Sequence, residues 1–307
     1  MNPVVVSILT RTIAAGTPLL LGTMGEIVTE RSGVLNLGVE GMMSMGAVAA
    51  FMVAMNTGSP WAGLLAAVIA GAALSLLHAF STITLKVNQT VSGLALSMLG
   101  VGMSGLLGKP YMGRPLQSQM PDLRIPVLAD IPYAGKILFD QDPLFYFAVV
   151  LGIALWFLLT RTRWGLRVRS VGENPAASAV QGIGVPGVRY ACTAIGGALA
   201  GMGGAYLSLV YTRSWTDGMN GGRGWIVIAL TIFALWNPLR AFLGAFLFGG
   251  IFVLQYILQP LGIPPNLLGA MPYAATLLVL MAGGLRRSRR RWNGPAALGE
   301  PFTRGER

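Results

Sequence analysis

The chain has 307 residues, of which 54% are hydrophobic and only 11% charged, with a formal net charge of +11 and a single cysteine. Charge usage so far below the roughly 25% of soluble domains excludes a water-soluble core: no globule could bury this much apolar surface, whereas a bilayer accepts spans of about 20 apolar residues. An internal disulfide is excluded, and the basic excess falls between and after apolar runs, which the positive-inside rule explains better than nucleic-acid binding does.

Hydropathy predicts an all-α polytopic membrane helix bundle with spans near 3–24, 34–55, 61–85, 90–108, 143–160, 189–211, 223–236, 239–258 and 265–284, nine in all within a range of eight to ten. The opening "MNPVVVSILTRTIAAG" has no basic region before its apolar run, so it reads as a retained first span with Arg11 inside it, snorkelling or facing a pore. Glu26, Glu30 and Arg31 then fall in a cytoplasmic turn, either solvated or paired with one another or with a partner protein. In the second span, Asn36 and Glu40 stand at i and i+4 on one helix face, about 10 Å in if the helix starts near Val34. Gly33, Gly38 and Gly41 mark a loosely packed or unwound stretch there, so Glu40 either lines a solute path or fixes helix packing.

His78 has no cysteine or acid near it in sequence and reads as a packing residue; no metal-ligand set is present. Asn88, Gln89, Thr90 and Ser92 open the fourth span with amides and hydroxyls that either meet a polar solute or cap the helix. Segments 90–108 and 223–236 are short and interrupted, which suits partial, re-entrant helices. "GVGMSG" matches a dinucleotide-binding pattern but lacks any βαβ unit, and no G-x-x-x-x-G-K-[ST] phosphate loop occurs. Lys109 to Asp142 is a proline-rich connector whose four basic and four acidic residues cancel. It is either a passive cover or a contact for an external partner.

The polar island "GLRVRSVGENPAASAVQGIGVPGVR" contains a helix-start signal, Asn174 before Pro175, and a stop signal at Gly182. It therefore holds one helix of about two turns, between basic segments that carry Arg161, Arg163, Arg167, Arg169 and Arg189. Farther on, Cys192 reads as a buried structural thiol, Gly197 and Gly201 as a close helix contact, and Gln255 as a second, weaker candidate for the solute path. Residues 1–285 form the membrane domain, and 286–307 a basic, disordered tail whose "RRSRRR" should stay in the cytoplasm. Counting back places 161–189 inside as well and 109–142 outside, with 15 Lys/Arg inside and 6 outside.

"GLRVRSVGENPAASAVQGIGV" resembles the cytoplasmic coupling segment of permeases in the branched-chain amino acid, simple sugar and nucleoside importers of the ATP-binding cassette class. "GEIVTERSGVLNLGVEGMMSMGA" is similar to the amino-terminal motif of that family's nucleoside or simple-sugar branch. The resemblance implies a multi-pass permease of the plasma (inner) membrane, with a cytoplasmic C-terminus, that binds no cofactor itself. It implies three partners: a cytoplasmic ATPase that hydrolyses ATP, a second and different permease, and an extracytoplasmic solute-binding protein. Lipid surrounds it and nucleic acid has no part. The ATPase would dock on Arg167, Arg169, Glu173, Asn174, Pro175, Ala176, Ala177, Val180, Gln181 and Gly182, while Asn36, Glu40, Asn88, Gln89, Ser92 and Gln255 would border the path. The alternative, a secondary transporter driven by an ion gradient, wants a relay of buried ionisable groups, and away from the ends of the predicted spans the charged residues are essentially Arg11 and Glu40. No catalytic constellation is present at membrane depth.

Overall fold

The structure, a computed structural model, describes residues 3–285 and 294–303. The arginine run 286–291 lies outside the described residues. Helix α1 runs Pro3–Arg31, α2 Val39–Thr57, α3 Pro60–Ala79 and α4 Gln89–Gly108. After a connector holding α5 (Ala134–Leu138) and a two-residue ladder of β1 (Leu123–Arg124) with β2 (Asp140–Gln141) come α6 (Pro143–Arg161), α7 (Arg163–Glu173) and α8 (Pro175–Val180). The chain closes with α9 (Val185–Tyr206), α10 (Arg223–Phe233), α11 (Pro238–Leu258) and α12 (Pro265–Leu285). Among the described residues seven helices are long and apolar enough to cross a membrane, and α10 is a shorter apolar helix. Helix α12 has 21 residues.

Several boundaries differ from the sequence prediction. With 29 residues, α1 reaches about 43 Å and outlasts a hydrocarbon core of about 30 Å. Glu26 and Glu30 consequently sit inside it, 2% and 1% exposed, and not in a solvated turn. The second span starts at Val39 and not near Val34, so Asn36 lies in non-helical backbone and shares no helix face with Glu40, which stands in the first turn. Helix α4 is continuous over 20 residues: Gly100 packs closely on Gly41 of α2, Gly93 on Leu37 and Gly108 on Trp215 without breaking it. Only α10, with 11 residues, keeps the short form predicted for both.

In lipid, helices gain little from burying apolar groups against each other; close backbone approach and polar contacts hold them together. Helix α4 follows that logic by turning its polar strip inward. It buries Gln89, Ser92, Ser97 and Ser104 while Met98 stays 76% exposed. The Ser97 hydroxyl donates to the Leu37 carbonyl at 2.6 Å, and Ser104 donates to the Ser44 carbonyl at 3.0 Å. Helix α9 packs between α1, α2 and α3, where a side chain on Gly204 would strike the Met43 carbonyl and one on Gly201 the Ala67 carbonyl. Cys192 is buried in this layer.

Candidate functional site

Two features at one end of the bundle bear on function: a protruding helix pair and an unwound segment beside it. Helix α7, unforeseen in the sequence, starts where the Thr162 hydroxyl accepts from the Gly165 amide at 3.1 Å. It buries Gly165, Val168, Val171 and Gly172 and leaves Arg167 exposed and Arg169 partly buried. Asn174 then serves both helices, donating its amide to the Ser170 carbonyl at 2.9 Å and accepting the Ala177 amide on Oδ1 at 2.9 Å. Pro175 fits the first helical position, where no amide hydrogen is needed.

A six-residue helix is unstable alone, and the hydroxyls of Ser170 and Ser178, 2.8 Å apart, anchor α8 to α7. Gly182, at φ 82°, ends it in the left-handed region. The result presents Glu173, Asn174, Ala176, Ala177, Gln181 and Gly182 to the outside, with Val180 90% exposed at the tip. The island ends earlier than predicted: α9 begins at Val185, and Arg189 is buried.

Between α1 and α2, residues 32–38 carry backbone groups with no helical partners, and buried side chains satisfy them. Gln89 Oε1 accepts the Leu35 amide at 2.6 Å, and His78 Nε2 lies 3.0 Å from the Leu35 carbonyl. His78 Nδ1 is 3.0 Å from the Ser92 hydroxyl. Asn36 accepts the Gly38 amide at 3.0 Å and donates to Glu26 at 3.1 Å, while Arg189 Nε donates to the Ser32 carbonyl at 3.3 Å. Thus Asn36 and Gln89 bind the protein's own backbone, and Ser92 reaches it through His78.

Glu40, just beyond, accepts the Gly222 and Gly224 amides that open α10. Asn88 is exposed and caps α4 by accepting from the Val91 amide at 3.1 Å, and Gln255 stands apart on α11, near Gly269.

Sequence reasoning missed four buried charged groups within the described helices. Besides Glu26, Glu30 and Arg189 there is Arg223, whose guanidinium lies 4.4 Å from the Phe252 ring centroid and donates to the Met219 and Asn220 carbonyls. Glu30 accepts from the Trp236 indole. The count of two ionisable groups in the spans is therefore too low. The signal available was length: a first helix of 29 residues, well past a usual span of about 20, carries its acids inward. At the opposite end a cavity of about 910 Å³ is bordered by Arg11, Asp122, Asp140, Asp142, Tyr206 and Tyr211. There Tyr206 donates its hydroxyl to Asp142 at 2.6 Å.

Residues 8–280 match the family described as branched-chain amino acid transport system, permease component. The chain is 37% identical to the guanosine ABC transporter permease protein NupQ of Bacillus subtilis, with 96% of each chain covered. It is 36% identical to a Haloferax volcanii permease provisionally assigned to glucose, with 97% of each covered. A solved ABC transporter in an inward-facing conformation aligns with a TM-score of 0.51 over 90% of this chain and 85% of its own, at 16% identity, a likeness of fold.

Proposed function

The chain belongs to the branched-chain amino acid transport system permease family, and as a permease component of an ABC transporter for nucleosides or sugars we propose that it works as follows. Paired with a second permease, it forms the path of an importer in the plasma (inner) membrane and takes its energy from a separate cytoplasmic ATPase that docks on α8. An extracytoplasmic binding protein delivers the solute to the end that carries the 109–142 connector. The solute is a nucleoside or a simple sugar, the classes named for NupQ and for the Haloferax permease.

One observation carries the docking role. Helix α8 is too short to fold alone, is capped and pinned to α7, and still turns Ala176, Ala177 and Val180 outward, with Val180 90% exposed. Small exposed side chains on a rigid knob suit a groove in another protein. Arg161, Arg163 and Arg167 at the same end favour the cytoplasmic side. Asn36, Glu40, Gln89 and Ser92 then act beside the path, holding the backbone that borders it, and not as solute ligands.

The decisive experiment reconstitutes the permease pair in vesicles with its ATPase and binding protein, and measures uptake of labelled guanosine and glucose. Uptake that requires ATP and the ATPase supports the assignment. Uptake by the chain alone in an ion gradient overturns it in favour of secondary transport.

A further inference from the structure

The sequence reads as disordered after the arginine run, yet residues 294–303 lie in extended and turn conformation across the end of the bundle that carries α7 and α8. Ala297 is 5% exposed and donates its amide to the Gly172 carbonyl at 2.9 Å, on the last turn of α7. Its neighbour Ala296 points its amide at the Glu173 carboxylate, 3.4 Å away. Two residues on, the Gly299 amide donates to the Gly33 carbonyl of the unwound segment at 3.3 Å. Arg189 binds both sides of this junction, giving Nε to the Ser32 carbonyl and another guanidinium nitrogen to the Glu300 carbonyl at 3.0 Å. At the ends of the strap, Gly294 packs on the Trp236 ring between α10 and α11, and Lys86, between α3 and α4, donates to Thr303 at 3.3 Å.

Ten residues thus bridge parts of the chain that also meet beneath them, Gly172 against the Arg31 carbonyl and Arg31 against the Leu235 and Trp236 carbonyls. The small residues "GPAALG" allow this, since bulkier ones could not lie flat with backbone amides in reach of foreign carbonyls. Gly172 and Gly33 are bound by positions 297 and 299, so a displacement of α7 must carry the unwound segment with it unless hydrogen bonds break.

We infer that the 294–303 strap is a positioning element of energy coupling: it ties the α7–α8 docking pair to the unwound α1–α2 segment and to the α10–α11 turn, so that these move as one body. The inference rests on the ATP-coupled function proposed above and adds to it a part of the chain that the coupling segment does not contain.

The test uses the assembled importer in vesicles, with the chain ended after Asn293 so that the arginine run is kept. Uptake per ATP hydrolysed should fall at least fivefold, while the subunits still copurify and basal ATP hydrolysis persists. Ala297→Glu, which forces a charge into the buried position, should do the same, Ala297→Ser should not, and a peptide of residues 294–303 added to the truncated importer should restore coupling. Unchanged uptake per ATP in both the truncated and the Ala297→Glu importers would overturn the inference, as would loss of subunit assembly in both, which would make the strap a folding element alone. If the unaltered importer shows no ATP-driven uptake, the functional reading itself fails, and that control separates the two failures.

Discussion

Glu40 and Gly224 lock two helix starts together: the Glu40 carboxylate accepts the Gly224 amide at 2.7 Å, and its other oxygen accepts the Gly222 amide at 3.0 Å. The first amides of α10 have no partner within the helix, and an acceptor bearing negative charge suits that end. Gly224 is required because a Cβ there would lie 2.5 Å from the Glu40 Cα. Glu40→Ala should therefore destabilise the chain by about 1–3 kcal/mol, the cost of leaving buried donors unmade, and Gly224→Ala by a similar amount. Thermal unfolding in detergent measures both. Glu40→Gln keeps one acceptor and should lower the midpoint less, without altering the solute concentration that half-saturates uptake; a changed affinity would return Glu40 to the solute path.

Ala177→Asp addresses docking at α8. The side chain is exposed and its helix is pinned through Ser178 instead, so the substitution should leave the melting behaviour of the isolated chain unchanged. Placed on the surface proposed to meet the ATPase, the charge should cut ATP-driven uptake about tenfold, the effect of roughly 1.4 kcal/mol, in an assay with all subunits present. Normal uptake would remove α8 from the coupling interface.

Trp236 and Glu30 offer a third test. The indole donates to the Glu30 carboxylate, while Arg31 gives Nε to the Trp236 carbonyl at 3.1 Å, and Leu235 and Trp236 both hold φ near 52°, in the left-handed region. Trp236→Phe keeps most of the ring packing but leaves a buried carboxylate without its donor, so a loss of about 1–3 kcal/mol is expected. Chemical unfolding of the wild type and the variant compares them, and equal stability would mean that solvent or another donor reaches Glu30.

What could be read from the sequence follows from how local each signal is. Asn174, Pro175 and Gly182 place α8 to within a residue, since caps act through neighbouring backbone. The apolar runs likewise locate the bundle's helices. The course of residues 32–38 was hidden: hydropathy is continuous through Val34 and Leu35, and the helix breaks because Gln89, His78 and Ser97, distant in sequence, supply its hydrogen bonds. The strap was hidden for the same reason. Its polar, proline-containing composition matches a disordered tail, and distant acceptors, the Gly33 and Gly172 carbonyls and the Glu173 carboxylate, hold its amides in place.

Two glycines separate close packing from mere abundance of the residue. A Cβ on Gly204 would collide with the Met43 carbonyl, backbone against backbone, and neither helix can yield without parting α9 from α2. Gly102 has nothing within 4 Å on the exposed side of α4. Gly204→Ala should thus cost at least about 1–3 kcal/mol as overpacking, whereas Gly102→Ala should be neutral or stabilise by up to about 1 kcal/mol, because alanine loses less backbone entropy in a helix. Melting of the two purified variants, each as a single chain in detergent, should fall on opposite sides of the wild type or nearly so. Equal losses at both positions would show that α9 and α2 are not in that close contact.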